Sequence, residues 1–207
     1  MEDGAKVLIT TPSSTKFYRM DDGHAILKND FTVHAGGTLE YLPEYNVPFA
    51  ESKSYQINNF YLDEEAVLIA SDLVTAGRIS RGEAFQYNLY SSKTKIYVNG
   101  KLLAYDHGTI EPSKMKLDTL GMMEGYSSNG SIYIYKKNMM DALAEQINTM
   151  ENHWEDIGFA ASQVNDSLMI VRLLGQNVSE LQDIMHIIWN IIREKLLGKP
   201  AVRMRKY

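Results

Sequence analysis

Cysteine is absent from the 207 residues, which removes disulfides, thiolate metal sites and cysteine nucleophiles together and points to an intracellular protein. No apolar run approaches the roughly 18 residues of a membrane span, and no charged-then-apolar leader opens the chain. The cytoplasm is the expected location, and the sequons at Asn129, Asn165 and Asn177 then carry no information about glycosylation. A basic excess is missing too: the net charge of -5 and the pI near 5.6 weigh against a nucleic-acid-binding module. There is no glycine-rich phosphate loop followed by Lys-Ser/Thr, no nucleophile elbow and no HExxH sequence. His24, His34, His107, His153 and His186 are scattered with no i, i+2 or i, i+4 pairing, so a tight transition-metal site within the chain is not expected.

What is present reads as a mainly β protein. A hydrophobic fraction of 44% and a charged fraction of 23% are ordinary for a globular chain, and at this length roughly 70% of the unfolded surface can be buried. Thirteen tyrosines favour strands and half-buried surfaces. Strand-like runs recur at short spacing: Ala5 to Thr11, Ala25 to Leu27, Phe31 to Val33, Thr38 to Leu42, Asn46 to Ala50, Ser54 to Leu62, Ala66 to Ala70, Ala84 to Tyr90, Thr94 to Val98, Leu102 to Asp106 and Ser131 to Tyr135. Pro12 to Thr15 reads as a hairpin turn leading into Lys16-Phe17-Tyr18-Arg19, with an alternative in which the hydroxyls and Lys16 line a polar cavity. Asn99-Gly100 predicts a type I′ hairpin.

The last third changes character. A helix is predicted from Met139 to about residue 152, capped by Asn138 with Asp141 as its partner, with Met139, Leu143, Ile147 and Met150 on one face. A hairpin follows, Phe159 to Val164 and Ser167 to Leu174 around Asn165-Asp166. A second helix starts at Ser179 with Gln182 at capping-box spacing, carries a stripe from Leu181 to Ile192, and stops at Gly198 and Pro200. The chain thus divides into a β-rich region over 1–135 and an α-β-β-α part over 136–207, packed as one continuous domain. The basic tail from Lys199 to Tyr207 is either solvated or docked on an acidic partner.

The densest chemistry lies between Ala70 and Phe85, where Asp72, Arg78, Arg81 and Glu83 stand among Gly77 and Gly82. The glycines suggest sharp turns or close approach of another segment. The charges either satisfy one another at a strand end or serve a site, and both readings stand on pattern alone. Asp72, Glu83 and Asp106 near predicted strand ends also allow a paired-carboxylate hydrolase of β-helical form acting on carbohydrate. A loose set of oxygen ligands is equally compatible with transient handling of a divalent ion.

Three motifs together carry a resemblance. Thr10-Thr11-Pro12, with Lys16-Phe17-Tyr18-Arg19, is similar to the TTP-x-x-x-K-F-Y-R segment of the urease accessory protein UreD (UreH) family. Leu39-Glu40-Tyr41-Leu42-Pro43-Glu44 with Val47-Pro48-Phe49-Ala50 resembles that family's LEWLPQ…IPFA stretch. Asp72, Gly77-Arg78 and Gly82-Glu83-Ala84-Phe85 resemble its D-x-x-x-x-G-R-x-x-x-G-E-x-F stretch, and Arg205-Lys206-Tyr207 its C-terminal end. The resemblance implies a β-strand superhelix with two helices in the C-terminal part. It implies a non-enzymatic scaffold that binds the urease apoprotein, UreF and the GTPase UreG, with nickel in transit and no tightly bound cofactor. Thr15, Asp72 and, through an apparent one-residue insertion, Asp106 are the positions implied for a polar conduit. Lys16, Arg19, Arg78 and Glu83 belong to the shared motifs. Members carry an N-terminal region with a Gly-Gly…Gly-Asp loop ahead of the TTP segment, and the expectation is that this sequence lacks it.

Overall fold

The chain repeats one path. The strands β1 (Lys6–Ile9), β2 (Thr15–Phe17) and β3 (Ala25–Val33) are followed by β4 (Thr38–Tyr41), β5 (Asn46–Pro48) and β6 (Lys53–Leu62), and then by β7 (Val67–Thr75) and β8 (Leu89–Val98). Each new strand lies parallel to its equivalent one turn earlier: β4 on β1, β7 on β4, β5 on β2, β6 on β3 and β8 on β6. Parallel neighbours need a long return connection, and here the return is made through the opposite sheet, so the chain winds as a β-superhelix. In this computed structural model residues 1–139, 142–151 and 153–202 are described.

The winding stops at an antiparallel turn. Asn99 and Gly100 adopt φ values of 47° and 76°, the left-handed pair a type I′ hairpin requires, and β9 (Lys101–Ile110) folds back on β8. After a long loop, β10 (Ser128–Lys136) pairs antiparallel with β7. The helix α1 (Ala142–Asn148), the hairpin β11 (Ile157–Asn165) and β12 (Leu168–Gly175), and the helix α2 (Val178–Leu197) complete the chain. Because β12 pairs with β10, the C-terminal part is joined to the superhelix by main-chain hydrogen bonds. One sheet therefore runs β1-β4-β7-β10-β12-β11, with β5 on β7 and β2 on β5; the other runs β3-β6-β8-β9. No helix among the described residues is long and apolar enough to cross a membrane.

The two faces of the larger sheet differ. Its outer face is covered by α1 and α2, whose Leu143, Ile147, Leu181, Ile184, Ile188 and Ile192 pack on Ile69, Ile132, Ile134, Met169 and Val171. Each such side chain contributes roughly 1.5–3 kcal/mol on burial. Helix α2 is clamped as well as packed, because Glu40 of β4 is buried beneath it and accepts from Trp189 Nε1 at 2.7 Å and from Arg193 Nε at 3.1 Å. The inner face meets the smaller sheet around Leu39, Phe60, Leu68, Ile96 and Tyr133.

Several expected boundaries move. Strand β7 continues through Asp72 to Thr75, and β9 through Asp106 to Ile110, so both acids are mid-strand rather than at strand ends. The runs Ala25 to Leu27 and Phe31 to Val33 are one strand, because Lys28 and Asp30 face outward as an ion pair at 2.9 Å while Asn29 points inward to Asn58. Ala84 to Asn88 is not strand: Phe85 takes φ 55° and gives its N–H to Ala76 O, so the segment turns a corner and β8 begins at Leu89. Pro12 to Thr15 is no hairpin turn either, since β1 and β2 pair with β4 and β5 and not with each other. The first helix is shorter than predicted. Asn138 sits at φ 53°, incompatible with a helix cap, and Met140 and Asp141 lie outside the described residues. Helix α2 is capped two residues earlier than predicted, by Asn177, whose side chain accepts from the Ser179 N–H at 2.9 Å. Its stop at Gly198, left-handed at φ 64°, is as predicted. Arg203, Arg205, Lys206 and Tyr207 also lie outside the described residues.

Candidate functional site

Strand β6 carries an inverted pattern. Ser54, Gln56 and Asn58 point inward and are buried, while Tyr55, Ile57 and Tyr61 stand on the outer face. Ordinarily the apolar half of such an alternation faces the core. The neighbouring strands explain the inversion, because register aligns polar side chains across the whole smaller sheet. Asn29, Asn58, Thr94 and Asp106 occupy one inward row, and Gln56, Ser92 and Gly108 lie in the row beside it. Apolar side chains close both flanks. On one side Phe31, Phe60 and Ile96 lie in register; on the other Phe17, Val74, Tyr87 and Tyr90 cluster. The result is a polar band between two apolar seals, running from β3 to β9 between the sheets and reaching solvent at its β9 end.

Asp72 projects into this band from the larger sheet. Its Oδ1 accepts from Asn46 Nδ2 at 3.1 Å and Gln56 Nε2 at 3.2 Å, and its Oδ2 from Ser92 Oγ at 2.6 Å. Gln56 Oε1 in turn accepts from Asn46 Nδ2 at 2.6 Å and the Tyr90 hydroxyl at 2.9 Å. Every donor to the carboxylate is neutral. Part of its surface is accessible, through a pocket that opens to solvent past Gly121 and Arg172, yet burial still pushes the Asp72 carboxyl above its ordinary range against the opposing hydrogen bonds from Ser92 and Gln56; the charge of Asp106 raises it further. Tyr41, beneath the same band, is pushed up to about 12 by burial and by the Asp72 charge.

Asp106 occupies the other end. Its carboxylate is 2.7 Å from the Arg172 guanidinium and accepts from the Tyr133 hydroxyl. Burial works to raise it, but the bonds from Arg172 and Tyr133 prevail and hold it below the usual carboxylate range. Arg172 also donates to Ser131 Oγ at 2.6 Å, and register sets Asp72, Ser131 and Arg172 side by side on adjacent strands of the larger sheet. Between them lies a chamber of about 330 Å³ whose walls include Asp72, Ser92, Asp106, Ser131, Tyr133 and Arg172. The buried hydroxyls of Ser54 and Thr94 find no hydrogen-bond partner among the described residues, and Thr94 lies in register between Asn58 and Asp106. These are oxygen donors without a committed donor or acceptor, inside a band that already holds two carboxylates.

The other implied positions fall elsewhere. Thr15 is in register with Asn46 on β5, which separates its strand from that of Asp72, and is not part of the chamber wall. Lys16 is exposed, with its Nζ 3.3 Å from Ser14 O, and Arg19 pairs at the surface with Glu51 at 3.2 Å. Arg78 and Glu83 satisfy each other: Arg78 Nε donates to Glu83 Oε2 at 2.8 Å, stacks 4.1 Å over the Phe49 ring, and Glu83 also accepts from the Ala50 N–H. That clasp leaves Glu83 below its usual range through the Arg78 hydrogen bond. Gly77 is required there, because at φ 129° a Cβ would run into the Glu83 carbonyl oxygen. Asn46, Gln56, Asn58, Ser92, Thr94, Ser131, Tyr133 and Arg172 were not anticipated. The run Ser54-x-Gln56-x-Asn58 was the available signal, but its alternation is also that of a strand with a wet outer face.

Among the described residues no group of three or more His, Asp or Glu side chains is gathered for a metal ion. The set can solvate a hard or borderline cation through scattered oxygens rather than cage it.

A sequence profile described as UreD urease accessory protein matches residues 1–207. The chain is 31% identical over 192 residues to the urease accessory protein UreD of Acetivibrio thermocellus, covering 93% of this chain and 73% of that one. It is 28% identical over 203 residues to the protein of that name from Bacillus cereus, covering 98% and 74%. For the Staphylococcus aureus protein of that name the figures are 29% over 211 residues, 100% and 76%.

Proposed function

This chain belongs to the UreD family of urease accessory proteins, and from that premise we propose that it is a non-enzymatic scaffold of urease maturation that passes nickel through its interior. In this reading it works in the cytoplasm, binds the urease apoprotein together with UreF and the GTPase UreG, and handles nickel as cargo.

The observation that carries the proposal is the polar band. Turning amides, hydroxyls and two carboxylates inward, and tyrosines outward, forfeits apolar burial along a whole row of the smaller sheet. Each polar group placed there costs free energy unless it is paired, and the Thr94 hydroxyl has no partner among the described residues. A row of oxygen atoms leading from Asn29 past Asp72 to the Asp106–Arg172 end replaces part of a cation's hydration shell in steps. Asp72 offers charge held only by neutral donors, so an arriving cation competes with amides and a hydroxyl rather than with an arginine. At Asp106 the arginine is already in place, which disfavours a resident cation and suits release. Scattered ligands of this kind bind weakly, and weak binding permits onward transfer.

The rival hydrolase reading loses its residues one at a time. Glu83 is committed to Arg78 at a corner away from the chamber, and Asp106 to Arg172 and Tyr133. Asp72 alone is left, and a single carboxylate does not make the pair the mechanism needs.

The test is urease maturation in cells carrying the Asp72→Ala form. Purified urease should contain less nickel and show lower activity, while co-purification of this protein with urease, UreF and UreG stays intact. Full nickel loading of urease by the variant removes Asp72 from the path.

A further inference from the structure

The residues that the inversion places outside also need an account. The outer face of the larger sheet is covered by α1 and α2, but among the described residues no element covers the outer face of the smaller one. That face carries aromatic and aliphatic side chains among its polar ones. Tyr61 and Tyr97 stack at 5.0 Å between ring centroids. Tyr105 is 54% exposed, and Ile26 at the opposite edge is 61% exposed. Solvent-facing sheets usually carry polar residues at such positions, and contiguous exposed apolar surface marks interaction sites.

Charge narrows the kind of partner. The chain carries a net -5, yet on this face Lys93 and Lys95 project outward from adjacent rows of β8, between Ile57 and His107 and between Asn59 and Tyr105. Asp30 is the carboxylate in these rows, and it is already held by Lys28 at 2.9 Å and by Asn59 at 2.7 Å. Neither Lys93 nor Lys95 has an ion-pair partner among the described residues. Lys95 instead lies 5.6 Å from the Tyr105 ring centroid. Unneutralised lysines set among exposed tyrosines complement a protein surface bearing carboxylates around an apolar centre.

We propose that the outer face of the β3-β6-β8-β9 sheet is a docking surface for an acidic, partly apolar protein surface, with Lys93 and Lys95 as its charge determinants. The proposal rests on the maturation reading, because it takes that partner to be one of the proteins with which this chain works. Docking there leaves the polar band open, since the band lies on the inner side of the same four strands.

The test compares Lys93→Glu/Lys95→Glu with Lys195→Glu/Lys199→Glu, an equal charge change at the far end of α2. The probes are purified urease apoprotein and purified UreF–UreG from the same organism. The face reversal should weaken binding of one of them by about tenfold or more and flatten its salt dependence, with the α2 reversal changing it less than about threefold. Wild-type affinity and salt dependence in the face reversal, with an unchanged melting temperature, overturn the docking surface and leave the maturation role standing. Failure of the wild-type protein to bind either probe overturns both. Loss of a wild-type self-association, or of binding to single-stranded RNA, in place of either protein assigns the face to another occupant and overturns the proposal as well.

Discussion

Asp72→Asn should stabilise this protein while damaging its work, because the carboxylate sits where the fold would be better served by an uncharged group. The amide has nearly the same shape. Its oxygen can keep the bonds from Asn46 and Gln56, and its nitrogen faces Ser92, whose hydroxyl can rotate to accept instead. The effect follows from the raised carboxyl. A native-state value above the unfolded one means that the neutral form is preferred in the fold, so wild-type stability matches the variant's below the unfolded carboxyl range. It falls behind as pH rises through the native value, and the deficit is complete above it. On the scale of single substitutions at buried polar sites, a gain of roughly 1–2 kcal/mol at pH 8 is expected, or about 2–8 °C in melting temperature for a domain of this size. Calorimetry of both proteins from pH 4 to pH 8 measures it. The curves should meet at the acid end and separate toward pH 8. A variant less stable than wild type at pH 8, or a difference that does not change with pH, would refute the account of Asp72 as a buried charge that its neutral donors compensate only in part.

Two further perturbations test the frame around the site. Glu40→Ala leaves the Arg193 guanidinium and the Trp189 N–H without their buried acceptor and should cost about 2–4 kcal/mol, with Trp189 emission shifting red in the folded protein as the end of α2 loosens; unchanged emission and stability would show that packing alone holds the helix. Gly77→Ala forces a Cβ toward the Glu83 and Pro48 carbonyl oxygens in a backbone region that only glycine accepts, so a loss of about 3 kcal/mol or more is expected by urea denaturation, whereas Gly82→Ala, with open space around its Cβ, should lose about 1 kcal/mol.

Much of this organisation is legible without coordinates. Alternating and β-branched runs predict mostly strands, Asn99-Gly100 its hairpin, and the Leu181 to Ile192 stripe with Gly198 its long C-terminal helix, since these depend on local backbone preference and on one-face burial. The resemblance carried by three short motifs places the chain in its family, and Asp72 stands out as the one charged residue of a mostly apolar strand. Four of the motif positions prove to be scaffold or surface. Arg78 and Glu83 clasp a corner around Gly77, and Lys16 and Arg19 meet solvent. The boundary between Ala84 and Leu89 could not be read, because Phe85 looks like strand but is held at φ 55° by a contact with Ala76.

By itself, then, the sequence determined the strand-and-helix inventory, the absence of thiol chemistry and the family. Only the tertiary structure decided which half of each alternating strand is inside. Alternation states that two faces differ, not which one meets the other sheet; that choice is made by the winding of the chain and by the register that lines up Asn29, Asn58, Thr94 and Asp106. The pairing of Asp106 with Arg172, 66 positions along the chain and on the opposite sheet, has the same origin. Long-range contacts of this kind arise from how sheets stack, and no local preference encodes them.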